Sequence, residues 1–385
     1  MKVLHVGMCC TYGGAESVVA TLIREQVSRG VEVEVAFRYD WGASKQFGNA
    51  CPVRFLNEET LGEVLLRKQF DVVHTVTHAA DWLAPALDIS KYDGAVIVTS
   101  HACGFYETRL KSDLVVAVSR AVADSIRNIY HEKLRVIYNG INCQLFYPAE
   151  TGVSDVRTIC WIGRANDPVK GFDLFLEFLN SQRPNQFRIV VVDGSPPENE
   201  ARKLLPKCVS YHPRKDWFEM PSFYRALAAS NGILLSTSRM EAFGMNILEA
   251  QACGCPVVAP NVGGIPEIIQ HKKTGFLYNR GQGVKGIEEA IHWVYTGRNH
   301  ERVSLAASRS VVQGFNAGRM CDGYEAVYAE AMSRYRARNY PSVMRRNLAW
   351  AKHIGERKAR SAKRRLQWAA SRILGRFRRS RQCIG

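Results

Sequence analysis

At 385 residues the chain is long enough for two domains and a remainder. Hydrophobic residues make up 46% and charged residues 23%, ordinary globular usage that excludes wholesale disorder. The formal net charge of +16 is confined to one end: residues 331–385 hold 17 Lys or Arg and one acid, Glu356, while the rest carries 35 of each sign, which excludes a uniformly basic body.

Through the first half, short β-branched runs alternate with helical patterns. Strands are predicted at Val3–Val6, Val31–Phe37, Asp71–Val76, Ala95–Thr99, Leu114–Val118 and Val136–Tyr138, with helices most clearly at Ala15–Ser28 and Ala121–Tyr130. A polar stretch around Asn139–Glu150 reads as a linker. The alternation then resumes with strands at Thr158–Ile162, Phe187–Val192, Val209–Tyr211, Ile233–Ser236 and Val257–Ala259, and a helix around Arg319–Arg334 closes the globular part. Nearly continuous apolar strands separated by helices mean parallel sheets covered on both faces. The expected fold is therefore α/β: two doubly wound, Rossmann-like domains facing a cleft, followed by a basic helical tail. The expected boundaries are 1–148, 149–318, a closing helix at 319–335 and a tail at 336–385.

The eleven cysteines include no Cys-x-x-Cys pair, and Cys160, Cys253 and Cys255 sit inside apolar runs. Reduced thiols and a cytoplasmic setting are expected, without disulfides or zinc. The N-terminus reads as a strand, not a signal peptide. No uninterrupted apolar run reaches the length of about 18 residues needed to span a membrane.

Ligands of doubly wound sheets bind beyond the carboxyl ends of the strands, and four strand-to-helix loops carry suggestive residues. Gly13-Gly14, between the first strand and first helix, lets backbone N–H groups approach an anion, though a tight turn would use the same residues. In the second half, Gly163-Arg164 leaves a strand and Lys170-Gly171 opens a helix; a guanidinium fork and a point charge on one loop suit a diphosphate. The segment Glu241-Ala242-Phe243-Gly244 follows a strand, and Glu249 lies eight positions after Glu241. Carboxylates accept sugar or ribose hydroxyls, and helical rotation of about 100° per residue would bring both acids to one side of the element. Acids in a first helical turn are also ordinary dipole partners. Gly263-Gly264-Ile265-Pro266-Glu267 precedes another helix and offers further N–H donors. His101 ends a predicted strand, where backbone could equally satisfy it. His74 and His78 flank a strand end, but no third ligand accompanies them, so no metal is assigned.

Gly-Gly-Ala-Glu, Val-Ser-Arg-Ala, Ile-Tyr-Asn-Gly-Ile-Asn, Gly-Arg…Lys-Gly, Glu-x7-Glu and Gly-Gly-Ile-Pro-Glu, in this order over about residues 1–335, resemble a GT-B glycosyltransferase of the retaining family 4 type. The resemblance implies a nucleotide-sugar donor held mainly by the second domain, a UDP-sugar being expected, and neither cofactor nor catalytic metal. It implies Arg164 and Lys170 on the donor diphosphate and Glu249 on the ribose hydroxyls. Glu241, with the backbone of Phe243 and Gly244, would hold the transferred sugar, Gly13 and Gly14 would line the cleft opposite, and His101 would lie near the sugar. Glu241, His101, Lys170 and Arg164 are thus the expected catalytic set. Three departures stand out: Val192-Asp193-Gly194 stands where the family has Gly-x-Gly, so Asp193 is expected to alter donor or hinge contacts, Pro213 replaces a glycine near the nucleobase, and Asn142 replaces an aspartate.

In the tail, Trp350, Lys363, Arg364, Arg365, Trp368, Arg376, Phe377, Arg378 and Arg379 read as a basic amphipathic surface for an anionic membrane. Each basic residue near such a surface contributes about 1 kcal/mol. The acceptor implied is a glycolipid or polysaccharide, such as a lipopolysaccharide core, at the cytoplasmic membrane face. Two other classes remain open: an inactive GT-B scaffold anchored by the tail, and a protein binding nucleic acid through it, which the neutral body disfavours. A disordered, solubilising tail is the third reading of the same charge.

Overall fold

The structure, a computed structural model, describes residues 1–103, 108, 110–148, 156–183, 186–195 and 201–336. The nine tail residues assigned to a membrane surface, from Trp350 to Arg379, lie outside them, as does the predicted boundary at residue 149.

The first domain holds strands β1 (Lys2–Cys10), β2 (Glu32–Asp40), β3 (Val53–Phe55), β4 (Val72–Val76), β5 (Ala95–Ser100), β6 (Leu114–Ala117) and β7 (Leu134–Val136). Between them run helices α1 (Gly14–Ser28), α2 (Glu58–Arg67), α3 (Ala80–Ser90) and α4 (Arg120–Tyr130). The sheet order is β3-β2-β1-β4-β5-β6-β7 and every pairing is parallel, Val3 lying opposite Val33 on one side and Val72 on the other. All residues of β4, β5 and β6 are buried. Their mostly apolar runs place them in the middle of a two-sided core.

The second domain repeats the plan with β8 (Thr158–Gly163), α5 (Phe172–Ser181), β9 (Arg188–Asp193), β10 (Ser210–Pro213), α6 (Met220–Ala229), β11 (Gly232–Leu235), α7 (Met245–Ala252), β12 (Val257–Pro260), α8 (Ile265–Ile268), β13 (Phe276–Tyr278), α9 (Val284–Val294) and α10 (Asn299–Gly314). Its sheet, β10-β9-β8-β11-β12-β13, is also wholly parallel. The strand order reverses between β1 and β4 and between β8 and β11. Those are the crevices in which doubly wound sheets bind ligands.

Three strands differ from expectation. The strand placed at Val136–Tyr138 is β7, Leu134–Val136, because Tyr138 leaves the sheet to stack on Phe243 (ring centroids 5.9 Å) and pack against Phe315 (5.7 Å). Strands β3 and β13 were not foreseen; each is a three-residue edge strand, too short for a period to register.

The chain crosses between the domains twice, and the crossings run side by side. Ile141 accepts the N–H of Ala317 at 2.9 Å and donates its own to Phe315 at 2.9 Å. After the second crossing, the closing helix α11 (Ala317–Arg336) packs on the first sheet, not the second. A buried chain of polar groups docks it there. His74 lies between Tyr328 (2.8 Å) and Thr99 (2.7 Å), Thr99 meets Tyr324 (3.1 Å), and Gln26 bridges Tyr328 (3.1 Å) and His5 (2.8 Å). His74 thus has a structural explanation. Helix α11 ends beside the first residues of β4 and β5, where Tyr335 donates to Asp93 and a cavity of about 210 Å³ is lined by Phe70, Tyr92, Met332 and Tyr335.

Burial holds the pKa of His5 down to about 4 and that of His74 well below the usual imidazole value, with the neighbouring His5 and His101 pushing His74 the same way. Tyr324 and Tyr328 are the groups facing them from α11, both neutral. A histidine kept neutral in the fold but free to charge when unfolded favours the unfolded chain in acid. The free energy of unfolding is expected to fall as pH drops from about 6.5 towards 4, seen as a lower urea midpoint at about pH 5 than at about pH 7.5. Equal midpoints would contradict this account of the docking network.

Candidate active site

The loops at the β8 and β11 ends form one unit. Arg239 donates its N–H to Val169 O at 2.7 Å, and the Thr237 hydroxyl donates to Lys170 O at 3.1 Å. The indole N–H of buried Trp161, on β8, donates to that same hydroxyl at 2.9 Å. Gly171 makes the close approach possible: it sits at φ +65°, and a Cβ there would run into the carbonyl of Thr237. The result brings Lys170 Nζ to Glu241 Oε1 at 2.6 Å, and the Ser238 hydroxyl donates to the same oxygen at 2.9 Å. Two residues 71 positions apart thus meet as an ion pair, the carboxylate only 12% exposed.

Arg164 stands on the same loop and pairs with Asp167, its guanidinium still largely exposed. Asp167 in turn caps the turn before Lys170 by accepting the N–H of Val169 at 3.0 Å. Asp193, in the segment that departs from Gly-x-Gly, is buried and fully used. It accepts the N–H groups of Ala165 (3.0 Å) and Ser195 (2.9 Å) and the hydroxyl of Tyr211 (3.1 Å). The acid therefore braces the Arg164 loop.

Helical rotation does not join the two acids, contrary to expectation. Glu241 precedes α7, which begins at Met245 behind Gly244 (φ +106°), so the two acids do not share a helix face. Glu249 lies inside α7, 8% exposed, and accepts the hydroxyl of Tyr224 at 3.2 Å. Burial raises its pKa to about 8, against the pull of that hydrogen bond, so the carboxyl keeps its proton at neutral pH and can donate as well as accept. Phe243 turns its ring into the core between Tyr138 and Phe315 and leaves only its backbone for a ligand.

From the first domain, the β1–α1 loop reaches this region: a Cβ on Gly14 would lie 3.6 Å from Met245 Cγ. The helix start behind Gly13 carries no side-chain cap, yet its positive end is not bare. Glu16 folds back so that its own backbone N–H donates to its carboxylate, in the space a Gly13 side chain would need. Burial raises the Glu16 pKa, while Arg214 and Arg164 of the second domain pull it down. Arg214 also lies over the Tyr12 ring, 5.4 Å from its centroid. Glu16 lies in the Gly-Gly-Ala-Glu motif, but its electrostatic coupling to Arg214 across the cleft depends on the domain arrangement, which no local spacing carries. His101 follows β5, and burial with the neighbouring His78 lowers its pKa to about 4, leaving a neutral imidazole. Two residues on, the Cys103 thiol contacts Glu241 O at 3.9 Å, which puts the β5 end against the Glu241 loop. Among the described residues no three His, Cys, Asp or Glu side chains gather where they could hold a metal ion.

Comparison with known proteins bears on the family and the fold. Residues 12–145 match the family Glycosyltransferase Family 4, and residues 147–309 match Glycosyl transferases group 1. The chain is 26% identical over 238 residues to the N-acetyl-alpha-D-glucosaminyl L-malate synthase of Bacillus anthracis; this covers 58% of the chain and 61% of that relative, so it spans only about three fifths of it. Anabaena HepE, solved in complex with UDP and glucose, superposes with a TM-score of 0.73 at 20% identity, over 86% of this chain and 99% of HepE. A lipopolysaccharide outer core galactosyltransferase, WaaB, in its apo form, superposes with a TM-score of 0.63 at 17% identity, over 85% of this chain and 99% of that one. With both halves matched and two parallel-sheet domains arranged as in these structures, the chain belongs to the GT-B glycosyltransferases of family 4 and group 1.

Proposed function

We propose that the protein transfers a sugar, with retention and without a catalytic metal, from a nucleotide sugar to a saccharide or glycolipid acceptor. The observation that carries this reading is the Lys170–Glu241 pair, held at 2.6 Å by two interlocked loops with Arg164 beside it. A diphosphate entering here would draw Lys170 and Arg164 away from their carboxylates and onto its oxygens. Glu241, released, would accept hydroxyls of the sugar. An acceptor hydroxyl then replaces the diphosphate at the anomeric carbon, the electron pair of the broken bond leaves on a phosphate oxygen, and the hydroxyl proton passes to the departing diphosphate. Two cations brought onto that oxygen stabilise the charge, the part a metal would otherwise play. Glu249 takes the ribose hydroxyls and His101 lies near the sugar.

A UDP-sugar is the proposed donor, supported by the UDP and UDP-glucose bound in HepE. A thermal-shift comparison of UDP-, GDP- and ADP-sugars tests this. A true donor at about 100 times its Kd adds about 2.7 kcal/mol to stability and gives a clear rise in midpoint. No shift with any of the three would sink the donor reading.

The charge of residues 331–385 supports an anionic membrane as the surface on which the acceptor is met. No helix among the described residues is long and apolar enough to cross a membrane. Flotation with anionic liposomes is expected to recover the full chain and not one lacking 336–385. Salt-sensitive RNA binding lost with the same deletion, without flotation, would favour nucleic acid instead.

A further inference from the structure

Helix α4 begins with an arginine and has no acid in its first turn, so its own sequence leaves the positive end of the helix uncompensated. The missing carboxylate comes from the other domain. Glu267 accepts the N–H of Arg120 at 2.8 Å through one oxygen and that of Ala121 at 2.9 Å through the other. The Tyr138 hydroxyl bonds the same carboxylate. The third free amide, Val122 N–H, donates to Ser119 Oγ at 3.0 Å, and Ser119, fully buried, donates its own proton to Ala242 O at 2.6 Å. One helix start in the first domain is thus completed by a side chain of the second, and its cap reaches back to hold a carbonyl of the Glu241 loop.

The grip is tight on the far side as well. Gly264, three residues before Glu267, donates its N–H to Glu241 O at 2.8 Å, and a Cβ on it would lie 3.1 Å from the Ala242 carbonyl carbon. The turn that carries Glu267 and the loop that carries Glu241 therefore move together. Both are tied to α4 by groups whose partners are backbone atoms, so the contact specifies position and not merely proximity.

We infer that Glu267 is a positioning residue, which with Ser119 registers the first domain, and whatever acceptor it carries, against the loop that holds the donor sugar. The kinetic part of this inference rests on the transferase reading above; the structural part does not. Glu267→Gln keeps the size of the side chain but turns one acceptor oxygen into an N–H donor facing an N–H. Amide exchange at Arg120 and Ala121 is expected to accelerate in this variant while the later turns of α4 stay protected. The turnover for transfer is expected to fall by about a hundredfold, as for a misplacement of about 1 Å, with the donor KM and UDP affinity within about threefold of native. Ser119→Ala tests the same contact from the other side, with the same split between kcat and KM.

Native exchange at both amides in Glu267→Gln would overturn the inference. So would a UDP affinity that falls in step with turnover, since that is the mark of general damage to the donor domain. If the native chain transfers no sugar at all, the transferase reading fails by itself. Exchange at Arg120 and Ala121, with small-angle scattering of the native and variant chains, then decides the interdomain contact alone: a wider spread of domain separations in the variant supports it, and an identical profile with unchanged exchange refutes it.

Discussion

Replacing Lys170 by alanine is expected to reduce turnover for sugar transfer by about 10²–10³-fold, the usual cost of removing one preorganised donor from a developing negative charge. The unfolding free energy should move by no more than about 1 kcal/mol, because the ion pair with Glu241 keeps an edge in water. Ser238 still donates to the carboxylate in this variant, so Glu241 is not left without a partner. Glu241→Ala is expected to lose transfer to a comparable degree, for a different reason: the sugar loses its hydroxyl acceptor and Lys170 loses the group that aims it. Because the two side chains act as a unit, the double variant should be little worse than the poorer single one. Steady-state release of nucleotide diphosphate measures all three. Turnover within about tenfold of native in both single variants would refute the assignment of this pair to the chemistry.

Gly171→Ala is expected to destabilise the second domain by about 3 kcal/mol and to abolish transfer in the fraction that folds. Two costs combine: about 1–2 kcal/mol for an L-residue in the left-handed region, and about 1–3 kcal/mol for forcing an atom into filled space. The obstacle is the Thr237 main chain, its carbonyl carbon 3.0 Å from the added Cβ, which cannot rotate aside as a side chain would. Relief requires the 168–171 and 237–239 segments to separate, and their separation draws Lys170 away from Glu241. Thermal unfolding and donor binding should therefore fail together. Gly297→Ala is the control: its φ of +59° is similar, nothing lies within 4 Å of the added carbon, and only the backbone cost remains.

Much of this architecture could be read before any coordinates. Val72–Val76 and Ala95–Ser100 are unbroken runs of mostly apolar residues flanked by helical patterns, and such runs have few ways to fold other than as central parallel strands. The edge strands Val53–Phe55 and Phe276–Tyr278 escaped because three residues carry no period and their stability comes from neighbours. The site divides in the same way. Arg164, Lys170, Glu241 and Gly244 lie in loops whose glycines and charges are local signals. The proton on Glu249 depends on how deeply α7 is buried, the fold-back of Glu16 on an uncapped helix, and the reach of Glu267 on a second domain. None of these has a spacing to announce it. The rotation argument that paired Glu241 with Glu249 failed because it extended a helix across Gly244, whose left-handed backbone starts the helix instead.

The closing helix starts at the interdomain crossing and finishes at the opposite rim of the first sheet, where β4 and β5 begin. Strands of about six residues separate that rim from the cleft by about 20 Å. Any chain beyond Arg336 therefore departs from the heel of the molecule, while the mouth opens from the toe.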